Sequence, residues 1–424
     1  MSDSEVFPNF VSVPVEQTTG NNQQWLRSVV LGVVVYLGTL IPVVAGVVAG
    51  FEVLEPGRDI PYGKDSLLLR FAAWDGGQFM HIMEAGYQYR ADKMSNIVMF
   101  PGYPILGWFL RQVAGFSPAA SLLFVSHICL LAALVLYHRL IRLRFGRDQI
   151  ADVSLLVLAA LPTTFFWRMA YSESPFVLLE VLFLYGIHRN WSCGRLAVLV
   201  ALASSFRLVG LALLIPLAME FASQSSGCTS QQRATQLRRG ILLLAVSLSG
   251  LGGFMCFLWV RFGDPLVFAR GQESFCLRQP VGALEHWYRL ATLEPIWGTY
   301  TPSSDCFWHR HSPSPGPLLN LQFWNPIWFC LACGLVFTGW FRRILTVSES
   351  VLGAALLLIP YLGRAEEFCM GSQARYSSVA IPAMTVLGHS LSRLPTSISA
   401  VLLIAGVSML TWYSALFGAS YFLL

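Results

Sequence analysis

Long apolar runs alternate with short polar stretches along this chain, and the length of the runs is that of a membrane helix. They fall at about 25–51, 118–138, 150–169, 174–190, 240–261, 319–341, 347–363, 376–393 and 397–418, most of them near the ~20 residues that cross a bilayer. The stretch 195–220 has the length of one more helix, but Ser204-Ser205-Phe206-Arg207 sets a cation near its middle. Irregular backbone at that depth is tolerated only where protein or a water-filled cavity covers it. The basic loops decide how this stretch is read. Arg139, Arg142, Arg144 and Arg147 mark one cytoplasmic loop, Arg189 and Arg195 the next, and Arg238-Arg239, Arg342-Arg343 and Arg393 three more. All five lie on one side only if 195–220 is a pair of half-helices that enters and leaves on the same face.

The pattern therefore predicts an all-α polytopic membrane protein with about eleven transmembrane helices, a single integral-membrane domain over residues 1–424. Its N-terminus is inside and its C-terminus outside. Residues 1–24 form a polar cytoplasmic tail, and the run after it is too long for a cleavable signal segment, so the first helix is expected to stay. Two long loops, 52–117 and 262–318, fall on the non-cytoplasmic side. An amphipathic stretch around Ile105–Arg111 in the first of them is expected to lie in the interface.

Composition fits this picture. Hydrophobic residues make up 55% of the chain and charged residues 12%, too few charges for the surface of a soluble protein of this size. The net charge of +5 is scattered over short loops and sets orientation, with no patch for nucleic acid. Four of the nine cysteines, Cys129, Cys256, Cys330 and Cys333, sit in apolar spans as small hydrophobes. Cys330-Leu-Ala-Cys333 lies within a membrane helix without companion ligands, and His309-Arg-His311 lacks a third one, so no metal is expected. There is neither a GxGxxG after a strand nor a Walker sequence, which argues against a nucleotide-bound donor.

The candidate chemistry starts in the first outer loop, at Arg70-Phe-Ala-Ala-Trp74-Asp75-Gly-Gly-Gln78-Phe79. An acid beside an indole at the edge of a bilayer is costly, and Asp75 is the candidate general base, with helix capping as its plainer role. Glu173, in Tyr171-Ser-Glu-Ser174, opens a membrane helix, where the helix dipole alone would favour it. Glu180 lies two turns deeper on nearly the same face and needs a proton or a cation; Arg207 is its expected partner by depth. Arg207, and Arg375 in Gly371-Ser-Gln373-Ala-Arg375-Tyr376, are candidate phosphate binders, with snorkelling as the alternative for Arg375. Gly263-Asp264-Pro265 reads as a helix stop and turn.

Trp74-Asp75, Gly86-Tyr87, Phe100-Pro101-Gly102-Tyr103-Pro104, Tyr171-Ser172-Glu173, Arg207 with Gly210, Gly263-Asp264-Pro265 and Arg375-Tyr376 occur in this order over residues 70–385. The ordered set resembles the GPI mannosyltransferase II (PIG-V-like) family of GT-C membrane glycosyltransferases, and its later segments look more like prokaryotic members. The resemblance implies a GT-C-like fold and an inverting transfer of mannose or a similar hexose on the non-cytoplasmic face. The donor would be a polyprenyl- or dolichyl-phosphate sugar, used as co-substrate with no further cofactor. The acceptor would be a hydroxyl on a glycan, lipid or protein. Asp75 would be catalytic, and Trp74, Gln78, Tyr87, Tyr103, Glu173, Arg207, Arg375 and Tyr376 would bind donor or substrate. The setting would be a bacterial plasma membrane, or the endoplasmic reticulum in a eukaryote. The chain departs from the eukaryotic pattern in lacking a long C-terminal extension, which puts a GPI acceptor in doubt. The rival expectation is a transporter or flippase of a lipid-linked sugar, which would also carry intramembrane charges and broken helices.

Overall fold

The computed structural model describes residues 18–55, 57, 66–90, 93–225, 230–279, 281–311, 316–421 and 423. Residues 1–17 of the expected tail lie outside the described residues. Among the described residues the structure is helical, with no strand. The elements that frame the site are α1 (Thr18–Val53), α2 (Asp75–Ala85), α3 (Gly102–Ala114), α4 (Pro118–Phe145), α5 (Asp148–Ala160), α6 (Glu173–His188), α7 (Cys193–Phe206), α8 (Leu214–Ser225) and α9 (Ser230–Phe262). They continue with α10 (Leu321–Phe341), α11 (Val347–Pro360), α12 (Gln373–Ser378), α13 (Ile381–Leu391) and α14 (Thr396–Gly418).

Local chemistry sets the boundaries. α4 starts with Pro118 at its first turn and the Ser117 hydroxyl accepting from the Ala120 N–H, and it ends on Gly146 at φ 65°. α11 opens with a reciprocal capping box between Thr346 and Glu349. Arg142 and Arg144 occupy the last turn of α4, where cations suit the helix dipole. There Arg144 and His188 both pair with the buried Glu349, at 2.6 and 2.9 Å, tying the ends of α4, α6 and α11 together. Arg27 reaches Asp152 at 2.7 Å and joins α1 to α5 at the same end of the bundle.

Seven helices among the described residues are long and apolar enough to span a membrane, or eight if one bent pair counts as a span. The expected eleven is not reached on that measure, because four of those spans are short or broken. α5 turns through 76° at Leu161-Pro162 into a 3-10 segment over Pro162–Arg168. α6, at 16 residues, and α7, at 14, are short. The span expected at 376–393 is interrupted between α12 and α13.

The stretch 195–220 is broken at the expected place. α7 ends at Phe206, Arg207 is extended, and the chain returns through a 3-10 segment, Leu208–Leu213, into α8. The arms fold back on each other, bringing the Cys193 thiol at the start of α7 within 3.4 Å of Gln224 Oε1 near the end of α8. Gly210 permits this turn: a Cβ there would lie 2.4 Å from the Ala203 carbonyl carbon. The hairpin lifts Arg207 to its tip. In the 52–117 loop, α3 exposes Ile105, Trp108, Phe109 and Val113, an apolar flank suited to the interface.

Candidate active site

Four charged side chains from distant parts of the sequence meet at one end of the bundle. Arg375 Nη1 donates to Asp75 Oδ2 at 2.8 Å, and its Nε donates to Glu173 Oε1. Arg207 Nη1 donates to the same Glu173 oxygen at 2.6 Å and to Ser172 Oγ at 3.4 Å. Glu173 is thus a shared anion between two guanidiniums. Its side chain is 0% exposed, against 12% for Arg375, 13% for Arg207 and 30% for Asp75. Access to the cluster is from the Asp75 side. The second Glu173 oxygen, Oε2, has no hydrogen-bond partner among the described residues.

Aromatic faces complete the seats of the two cations. Arg375 lies over the Tyr171 ring, 4.4 Å from its centroid, and over Phe166 at 5.1 Å. Arg207 lies 5.6 Å from the Tyr376 ring. A guanidinium stacks on such faces while its edge donors reach carboxylates. Two acids and two arginines make the cluster formally neutral, the condition under which charge is tolerable in a poorly solvated place.

The backbone is strained on both sides of the cluster. Trp74 has φ 58° and ψ −114°, and the carboxylate that follows sits in the first turn of α2, where the helix dipole favours an anion. Cys369, Met370 and Ser372 have φ of 49°, 57° and 63°, three left-handed non-glycine residues just before α12. A π-helical turn, Tyr361–Ala365, precedes them. Such conformations persist only where surrounding contacts over-determine them, and they concentrate at functional sites. Here Asn325 Oδ1 accepts from the Ala374 N–H at 3.0 Å, and Gln373 Nε2 donates to the Pro360 carbonyl at 3.2 Å. Gln322 Nε2 also donates to the Cys369 carbonyl. α10 and α11 together hold the turn that presents Arg375.

Of the residues singled out in the sequence, Asp75, Glu173, Arg207, Arg375 and Tyr376 come together here. Trp74 sets the backbone of Asp75, and Gln78 lies one turn on, half-buried on the Asp75 side of α2. Tyr103 and Tyr87 do not join them. Tyr103 is fully buried, with its hydroxyl bound to the Leu122 carbonyl at 2.8 Å and to Ser126 at 2.7 Å, so its ring offers no face to a ligand. Ser126 in turn donates to the Tyr171 carbonyl, which makes Tyr103 part of the support beneath the site. Tyr87 packs on Phe254 and Phe257 of α9, each at 5.5 Å, and pins the 52–117 loop there. Burial also raises its phenol above the ordinary range.

Glu180 is likewise corrected. Arg207 belongs to Glu173, and Glu180 Oε1 instead accepts from the Ile381 N–H at 3.2 Å, capping α13 just beyond the α12 break. Asp264 is the turn former expected, accepting from the Leu266 N–H at 2.9 Å and pairing with Arg270. The aromatic seat of Arg375 and the role of Asn325 were missed in the sequence. The available signal for the latter was the polar triplet Asn320, Gln322 and Asn325 opening an otherwise apolar helix.

No family model matches the chain. Over 324 residues it is 27% identical to the GPI alpha-1,6-mannosyltransferase 2 of Rattus norvegicus, covering 66% of this chain and 64% of the rat protein. Over 158 residues it is 30% identical to the protein of that name from Cricetulus griseus, covering 35% and 31% of the two chains. The chain thus spans just under two thirds of the rat relative's length, and less of the hamster one's. Among solved structures it is similar to the Archaeoglobus fulgidus oligosaccharyltransferase in its apo form, with TM-score 0.41 and 15% identity, over 91% of this chain and 56% of that one. The same archaeal enzyme with an inhibitory peptide and a dolichol-phosphate gives TM-score 0.41 and 14% identity, with the same coverage. By sequence, the chain is similar to the GPI alpha-1,6-mannosyltransferase 2 proteins of rat and hamster.

Proposed function

We propose that the protein transfers mannose, or a similar hexose, from a polyprenyl- or dolichyl-phosphate carrier to an acceptor hydroxyl on the non-cytoplasmic face of its membrane. The observation that carries this reading is the Asp75–Arg375–Glu173–Arg207 cluster, in which the partly exposed Asp75 carboxylate is held by the Arg375 guanidinium and the buried Glu173 joins Arg375 to Arg207. The names of the mannosyltransferase relatives and the side on which the basic loops fall support it.

The chemistry divides between the two charges. The acceptor oxygen attacks the anomeric carbon, the bond from that carbon to the carrier phosphate breaks, and the hydroxyl proton passes to the Asp75 carboxylate. The leaving phosphate gathers negative charge as the bond breaks, and Arg375 and Arg207 stabilise it. Among the described residues, Nη2 of both arginines has no recorded partner, so each can turn a donor to a phosphate oxygen while keeping its hold on Glu173. A phosphate that also draws Nη1 of Arg375 frees the Asp75 oxygen bound there for the acceptor hydroxyl. One displacement of this kind inverts the anomeric centre.

The test is sugar transfer by the purified protein, given polyprenyl-phosphate-mannose and an extract of the native membrane as acceptor. Transfer that disappears in Asp75→Asn supports the reading. No transfer from any polyprenyl-phosphate hexose, with the protein folded, refutes it.

A further inference from the structure

The geometry points to a disulfide between Cys306 in the second outer loop and Cys369 in the strained turn before Arg375, a cross-link that fastens that loop to the turn. It rests on the outer placement of the two segments that the proposed function also assumes. Three features carry it. Both side chains are 0% exposed. Their thiols are joined by a hydrogen bond, and the Cys369 sulfur also lies 3.9 Å from the carbonyl of Asp305, the residue before Cys306. The two segments meet along a docked seam: the Leu277 N–H donates to the Glu367 carbonyl at 2.9 Å, and Arg278 and Arg289 both reach the buried Glu366, at 2.7 and 2.9 Å.

The remaining chemistry of the pair favours a bond between the sulfurs. A metal site needs more ligands, and no group of three or more His, Cys, Asp or Glu gathers for one among the described residues. The nearest other outer-loop thiol, Cys276, is turned to Glu367 Oε2 at 3.5 Å. Two thiols side by side on the outer face of a membrane stand in the compartment where disulfides form and persist. The Cys369 thiol beside it, together with burial, holds the Cys306 thiol well above the ordinary cysteine range. The two thiols give up two protons and two electrons to the disulfide of a thiol-oxidising partner. The reaction runs through a mixed disulfide that the second cysteine resolves, and it leaves the partner as a dithiol. The product holds Cys369, Met370 and Ser372 in their left-handed conformations, and through them the seat of Arg375.

The full-length protein is taken from its native membrane, quenched in acid, denatured and alkylated with a maleimide before and after reduction. Peptide mass spectrometry follows. The expected result is one linked peptide pair joining Cys306 to Cys369, with those two cysteines alkylated only after reduction. The link persists in Cys276→Ser and is lost in Cys306→Ser and in Cys369→Ser. Alkylation of both thiols without reduction overturns the inference. Arg310→Cys, probed with a membrane-impermeant maleimide, separates the two ways this can happen. Labelling from outside, with the native thiols free, overturns the cross-link alone. Labelling only from the cytoplasm overturns the outer placement as well, and with it the face assigned to the proposed reaction.

Discussion

Replacing Glu173 by Gln removes one charge from the middle of the cluster and almost no volume. In the wild-type protein a single oxygen, Oε1, accepts from Arg375 Nε and from Arg207 Nη1, the latter at 2.6 Å, in a side chain with 0% exposure. A Gln oxygen still accepts, but two guanidiniums then share a neutral group, and only the Asp75 carboxylate balances them. Removing one partner of a buried ion pair costs about 3–5 kcal/mol, because the cations left behind stay desolvated. For a chain of this size, at roughly 2 °C per kcal/mol, that is a fall in Tm of roughly 6–10 °C. Transfer should fall further than stability alone implies, because both arginines lose their anchor. A ~10²-fold loss in kcat/KM corresponds to about 2.7 kcal/mol at the transition state. Glu173→Asp keeps the charge but is one methylene shorter, so it reaches one arginine and should recover part of both losses. The assays are thermal unfolding of the detergent-solubilised protein and initial rates at matched expression. A Glu173→Gln protein with Tm within ~1 °C of wild type and an unchanged rate refutes the reasoning. It would mean that the rings of Tyr171, Phe166 and Tyr376 hold the guanidiniums without help from the acid.

Three further outcomes are expected. Asp75→Asn should cut transfer by ~10²–10⁴-fold, with a smaller loss of stability than Glu173→Gln because Asp75 is 30% exposed; turnover near wild type removes it as the base. Arg375→Lys should weaken donor use strongly and Arg375→Ala further, read from initial rate against lipid-phosphate-sugar concentration, because a lysine cannot serve Asp75 and Glu173 at once from the fork of one guanidinium. Glu180→Leu should destabilise by about 0.5–1.5 kcal/mol, because the Ile381 N–H then keeps only its bond to the Val379 carbonyl, while Glu180→Gln, which still accepts from Ile381, should unfold within a few degrees of wild type.

The helical membrane architecture was legible because apolar run length and the side chosen by arginines are both local properties. The fold-back at Ser204–Arg207 shows how far this reaches. The loop charges demanded that both ends of 195–220 lie on one side, and the contact between Cys193 and Gln224 is what such a hairpin requires. Asp75, Glu173, Arg207 and Arg375 were legible one at a time, each as a charge too costly to keep near a membrane without a use. Their pairing was not. Depth alone matched Arg207 to Glu180, but Glu180 sits where the α12–α13 break leaves the Ile381 N–H to be satisfied, and the hairpin tip carries Arg207 up to Glu173. The aromatic residues were the least legible. A Tyr beside a motif reads equally as a sugar platform or as packing, and only the fold puts Tyr171 under Arg375 while burying Tyr103 beneath it.

The pairing also changes what Arg375 means. Phosphate binding and snorkelling both picture a cation waiting for an anion or for water, yet Arg375 already has two carboxylates. Two free guanidiniums at the edge of a bilayer would be expensive to hold and would attract any anion. A neutralised cluster avoids both costs, and it responds selectively. Water or a neutral sugar has nothing to exchange for the Asp75 contact, whereas a phosphate brings charge of its own. On this reading the base is occupied until the donor arrives, and the event that binds the leaving group also releases the group that activates the acceptor. Glu173, the carboxylate of the cluster with no exposure, is the member that stays put while Arg375 changes partners. Its burial is therefore part of the mechanism, since a solvated acid there could follow the cation instead of anchoring it.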